Sequence, residues 1–203
     1  MPLIKAPTPT AQRPARTGAV DGDNLDSALL SPDLEVRRTA IRAAVQRDDM
    51  APLLAHLSHE PDQSVREVIL NSVVRRQDMT QVPPLMDLLR SEDVPLRNAV
   101  IEALQMMGDA ILPEIERRLG DPDVDVRIFC VNILQAIRVS SVPDIALRVA
   151  MTDQDVNVCV AAVDILAELG RPDMAEALGA VAARFPQHPF LAFAVRAALR
   201  RVG

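Results

Sequence analysis

An all-α fold of stacked helix pairs is predicted for this 203-residue chain by three features of its sequence. A phrase of about 15 residues returns at a period near 30. Each return opens with helix-start residues and continues with one apolar stripe. The apolar fraction is 49%, yet only 2% of residues are aromatic, with four Phe and neither Trp nor Tyr. A core of Ala, Val, Ile, Leu and Met favours close-packed helices over a sheet, where aromatic and β-branched side chains would alternate between faces.

Residues 1–22 precede the first phrase. They carry four prolines and the basic Lys5, Arg13 and Arg16, with no acid before Asp21. That composition is expected to form a disordered, solvated tail, leaving residues 23–203 as the folded array. The phrase then reads SPDLEVRRTAIRAAV from Ser31, EPDQSVREVILNSVV from Glu60, SEDVPLRNAVIEALQ from Ser91, DPDVDVRIFCVNILQ from Asp121 and TDQDVNVCVAAVDILA from Thr152. Its arginine falls at Arg37, Arg66, Arg97 and Arg127, at steps of 29, 31 and 30 residues.

Ser31, Ser91 and Asp121 suit helix N-caps, with Pro32, Pro61 and Pro122 in the first turn and Asp33, Asp62, Asp93 and Asp123 at the positive helix end. Inside each helix Val36, Ala40, Ala43 and Ala44 return as Val65, Ile69, Ser72 and Val73, and so on along the chain, one buried stripe per helix. A second amphipathic segment, such as MAPLLAHL or AILPEIERRL, follows each phrase. Every unit is therefore two antiparallel helices that bury their faces only by stacking. PFLAFAVRAALRRVG closes the array, its two Phe expected on an inner side and its arginines outside.

The D-x-x-V-R-x-x-A phrase resembles the HEAT-like repeats first described in phycobilisome lyases and found in many bacterial scaffold proteins. The resemblance runs from about residue 25 to 203 and implies an α-α superhelix, a HEAT-like solenoid of about five and a half two-helix repeats. It further implies that one helix of each pair lines the concave side, taken here to be the phrase helix, which is second when a pair is counted from the short helix before it. In such repeats the arginines form a ladder with acids of neighbouring units, which carries over to Arg37, Arg66, Arg97 and Arg127 with Asp62, Asp93 and Asp123. The fifth unit has Cys159 where the others have arginine, so the ladder is expected to stop or change there.

Candidate chemistry is sparse. His56, His59 and Glu60 could offer two imidazoles and a carboxylate to a metal, but the remaining histidine is His188, far along the chain, and these three read instead as a solvated helix end. The His59-Glu60 pair is similar to the ligand pairs of deoxyhypusine hydroxylase, a HEAT-like enzyme that needs several such pairs, and one pair does not make that site. Cys130 lies on a core stripe and Cys159 at a partly buried position. Both are read as free structural thiols, in keeping with a reducing compartment. No cofactor or metal is expected.

The net charge of −6 gives no general attraction to phosphate backbones or anionic lipid, and no apolar run approaches membrane-spanning length. Concave-side candidates, one per unit, are Arg42, Asn71, Glu102, Asn132, Asp164 and Arg196, with Arg38, Glu67, Asn98, Met106 and Gln135 a turn away. The column is mixed in sign and rich in amides, which suits a protein surface better than nucleic acid. The expected function is a cytoplasmic, non-catalytic, monomeric scaffold or adaptor that binds a peptide, helix or small domain of another protein. The resemblance also leads to two alternatives. One is a phycobilin-lyase-like enzyme or chaperone for a tetrapyrrole protein, using Cys159, Asp164 or Glu102. The other is an alkylpurine-glycosylase-like DNA binder, disfavoured by the lack of Trp and Tyr.

Overall fold

The computed structural model describes residues 22–202, so the tail expected over residues 1–22 lies almost wholly outside the described residues. Among these, the secondary structure is helical throughout, with no strand. The five phrases form α2 (Leu34–Gln46), α4 (Gln63–Arg76), α6 (Val94–Met107), α8 (Val124–Gln135) and α10 (Val156–Leu169), and the last segment forms α12 (Pro189–Val202). The intervening segments form the shorter α3 (Ala51–His56), α5 (Val82–Asp87), α7 (Leu112–Arg118), α9 (Val142–Thr152) and α11 (Ala175–Arg184). Pro52, Pro83, Pro113 and Pro143 open α3, α5, α7 and α9, where a missing N–H costs nothing. A further helix, α1 (Gly22–Leu29), packs on α2 ahead of the first phrase.

The phrase helices pack side by side in sequence order, α2 on α4, α4 on α6, and onward to α12. The shorter helices make the second row, with α9 against both α10 and α11. The apolar stripe accounts for the row: Ile69, Val100, Cys130 and Ala162 hold equivalent places and are fully buried. Burying each Val, Ile or Leu of this kind contributes about 1.5–3 kcal/mol, and the contacts run between nearest units, as in a one-dimensional array.

The helix starts differ from the expected register. The caps are Asp33, Asp62, Asp93, Asp123 and Asp155, each accepting a backbone N–H from the first turn of its own helix. Ser31, Ser91 and Asp121 stand two residues earlier and instead accept the N–H of the capping aspartate. Glu60 and Asp153 do the same for Asp62 and Asp155. Pro32, Pro61 and Pro122 therefore lie in the turn and not in the helix. A carboxylate reaches the first-turn amides from the cap position, and a second acceptor then fixes the cap's own amide. Gly108, at φ 69°, turns the chain out of α6 in a conformation that favours glycine.

The closing helix also departs from expectation. α12 buries Leu191, Ala194, Val195, Ala198 and Val202, whereas Phe190 and Phe193 are 67% and 57% exposed. The small and aliphatic residues supply the stripe at i, i+3, i+4 and i+7, which leaves both rings on the open side.

Candidate functional site: the exposed row of phrase helices

Two sets of residues follow from this register: the arginine column at the helix starts, and the exposed column along the row.

Each column arginine donates to the carbonyl six residues behind it: Arg37 to Ser31 at 2.9 Å, Arg66 to Glu60 at 2.6 Å, Arg97 to Ser91 at 2.7 Å and Arg127 to Asp121 at 2.8 Å. The guanidinium thus ties down the turn that precedes its own helix. Its remaining donors reach forward. Arg37 grips Glu60 through Nε and Nη2 at 2.9 and 3.0 Å, Arg66 meets Asp93 at 2.6 Å, and Arg127 takes Asp153 at 2.8 and 3.0 Å. Of the expected acidic partners only Asp93 is engaged by a column arginine through its side chain.

The position two residues before the cap explains the difference. Where it holds an acid free to accept, as at Glu60 and Asp153, the arginine goes there. Asp121 is occupied by Arg90 at 2.6 Å, and Asp123 also pairs with Arg90, at 3.1 Å. Arg97 is left with the Ser91 carbonyl and the face of Phe129, 5.0 Å from the ring centroid.

The His56–Glu60 segment is not the solvated helix end expected from the sequence. His56 is 7% exposed and Glu60 is fully buried, with His56 Nε2 2.9 Å from Glu60 Oε2. An ionised carboxylate can only accept, so Nε2 is the donor. Burial alone would raise the Glu60 carboxyl. The bonds from Arg37, the Asp62 N–H and His56 outweigh it and hold the group below the ordinary carboxylate range. His59 is exposed in the turn, as expected. No group of three potential metal ligands occurs among the described residues.

At Cys159 the ladder changes. The carbonyl of Asp153, six residues back, receives Arg184 from α11 at 2.5 Å, and Arg184 also donates to the Ala150 carbonyl at 2.6 Å. An arginine from the neighbouring row replaces the one the repeat lacks. The Cys159 thiol lies 3.3 Å from Arg184 and is fully buried, deeper than the partial burial expected. Burial, partly opposed by Arg184, pushes it up, and burial pushes the Cys130 thiol up to about 12. Neither thiol is a nucleophile poised for neutral pH.

The exposed column is continuous along the row. Arg42, Glu67, Asn71, Asn98, Glu102, Met106, Asn132, Asp164 and Arg196 are exposed, and Arg38 and Gln135 are half-buried. Adjacent helices are bridged on this face. Arg38 donates to Ser64 at 2.7 Å, Gln105 to the Asn132 carbonyl at 3.2 Å and Gln135 to Glu168 at 3.2 Å. Met106 is 62% exposed, while Met107 turns into the core. Desolvation, with Glu168 adding to it, raises the Asp164 carboxyl even though the residue as a whole is exposed. Glu168 and Ser64 belong to this face and were not singled out by sequence. Only their place one turn from a column residue could have marked them.

A second set of ion pairs, also not anticipated, runs along the row of shorter helices: Arg118 to Asp87 at 2.6 Å, Arg148 to Glu116, and Arg171, in the turn before α11, to Asp144 of α9 at 2.8 Å. The partners are about one repeat apart.

The family model described as HEAT repeats matches residues 50–117, within the stretch where the paired helices and arginine column are seen. The HEAT-repeat match thus covers about a third of the chain, and the helix pairs continue on either side of it as a HEAT-like solenoid. Among solved structures, an engineered protein resembles this chain at 17% identity and a TM-score of 0.41, over 89% of this chain and 95% of that one. The complex of CpcE and CpcF of phycocyanin lyase from Nostoc sp. PCC7120 resembles it at 15% identity and a TM-score of 0.36, over 97% of this chain and 100% of that one. No curated protein matches the sequence. Among the described residues no helix is long and apolar enough to cross a membrane.

Proposed function

We propose that this chain is a non-catalytic protein-interaction scaffold or adaptor, with the exposed row of phrase helices as its concave binding face. One observation carries the reading. The column from Arg38 to Arg196 is continuous across six packed helices and offers amides, charges of both signs and an exposed Met106. Such a surface recognises a peptide, a helix or a small domain through many shallow contacts. Mixed sign along the row suits a protein partner, whereas a phosphate backbone calls for a run of positive charge. The buried thiols fit a reducing, cytoplasmic setting, and the scaffold is read as a monomer.

The test is partner retention. An Asn71→Arg, Glu102→Arg, Asn132→Arg variant, folded by circular dichroism, is expected to lose the proteins that co-purify with the wild type from native lysate. Retention of the same proteins would overturn the reading, because the three substitutions alter three successive helices of the row.

A further inference from the structure

Between α2 and α4 the row opens into a groove of about 190 Å³, lined by Arg38, Ile41, Arg42, Ser64, Val65 and Val68. Ile41 and Val65 form its buried floor and Val68, 41% exposed, its open wall. The residue equivalent to Val68 in α8 is Phe129, whose ring lies beneath Arg97 of α6.

Two arginines stand on the rim. Arg38 is bound to Glu35 at 2.9 Å and to Ser64 at 2.7 Å, which fixes its guanidinium at the edge. Arg42, one turn further along the same face, has no hydrogen-bond or ion-pair partner among the described residues. Glu67, the nearby acid on α4, accepts from Gln63 on its own helix. The groove therefore combines apolar walls with an unpaired guanidinium and a second one held beside it.

We infer that this groove is a docking site for an acidic peptide segment, which seats an aliphatic side chain against the exposed Val68, above the buried Ile41 and Val65, and places a flanking carboxylate on Arg42. The inference rests on the row being a protein-binding face and names the chemistry of the partner at its first two phrase helices. Size favours a peptide side chain over a free small molecule, since pockets for the latter run from about 300 to 1,000 Å³. Planar guanidinium recognition of a carboxylate supplies the polar half of the contact. The apolar walls disfavour nucleic acid, whose phosphates would find two arginines and no further basic track here.

The probe is an N-acetylated peptide of alternating leucine and glutamate, titrated into protein with labelled Ile, Leu and Val methyls and followed by NMR. Saturable shifts are expected at the methyls of Ile41, Val65 and Val68. Arg42→Glu is expected to weaken binding at least tenfold. Val68→Phe, which installs the residue found at the equivalent place in α8, is expected to abolish it in a protein that remains folded. Equal binding of a leucine–lysine peptide, tighter binding of a single-stranded oligonucleotide, unchanged affinity in both variants, or shifts confined to other helices would overturn the inference. If the peptide fails while the Asn71, Glu102 and Asn132 variant still loses its cellular partners, this inference falls alone and the reading of the row stands.

Discussion

Glu60→Ala is expected to lower the free energy of unfolding by about 3–5 kcal/mol, the range for removing one partner of a buried ion pair. Glu60 is fully buried and accepts from Arg37 twice, from His56 and from the Asp62 N–H. Removing it leaves a buried guanidinium and a buried imidazole facing a cavity, and it frees the turn that starts α4. Glu60→Gln keeps the shape and part of the hydrogen bonding but leaves Arg37 without a counter-charge, so an intermediate loss is expected. Urea unfolding followed by far-UV circular dichroism measures both. The pH dependence has a definite sign. The folded carboxyl titrates below its ordinary value, so the stability it contributes is complete above an unfolded pKa of about 4.3 and is lost as pH falls through the folded one. The gap between wild type and Glu60→Gln should be flat near neutrality and close only below about pH 4.3. A gap that already closes well above that value would contradict the assignment to Glu60.

Arg184→Ala is expected to cost about 1–3 kcal/mol, because two backbone carbonyls, those of Ala150 and Asp153, lose their donors in a half-buried turn. The more telling variant is the double change Arg184→Ala, Cys159→Arg. It restores the repeat's own arginine at the place where Arg37, Arg66, Arg97 and Arg127 each reach the carbonyl six residues back. The Arg184 side chain no longer occupies that space. Part of the lost stability should return in the same urea assay. A double variant that is less stable than Arg184→Ala would show that Cys159 marks a different local geometry and not a missing arginine.

Much of the fold was legible because the repeat states its rule five times. Period, apolar stripe and the proline-opened second helices all place elements where the structure has them. The cap register was not legible, because Ser31, Asp33, Ser91, Asp93, Asp121 and Asp123 are all competent caps. Backbone geometry alone selects the later member of each pair. The partners of the arginines were also hidden. Asp121 is taken by Arg90 from the preceding unit, a contact 31 residues away in sequence with no local signal. His56 and Glu60 read as polar and hence solvated, and only the packing of α2 over that turn buries them. Arg184 could have been suspected, since a repeat that drops its arginine leaves a carbonyl in need of a donor. The exposed column was legible as helical spacing, while the groove beside it depends on how α2 and α4 pack against each other.

The central claim is that the exposed row of phrase helices is where a partner sits. A photo-cross-linking residue in place of Met106, on the row, and separately in place of Glu116, on the shorter helices, tests it most directly. The partner protein is expected to be captured from position 106 and not from position 116. Capture from position 116 alone would contradict the account.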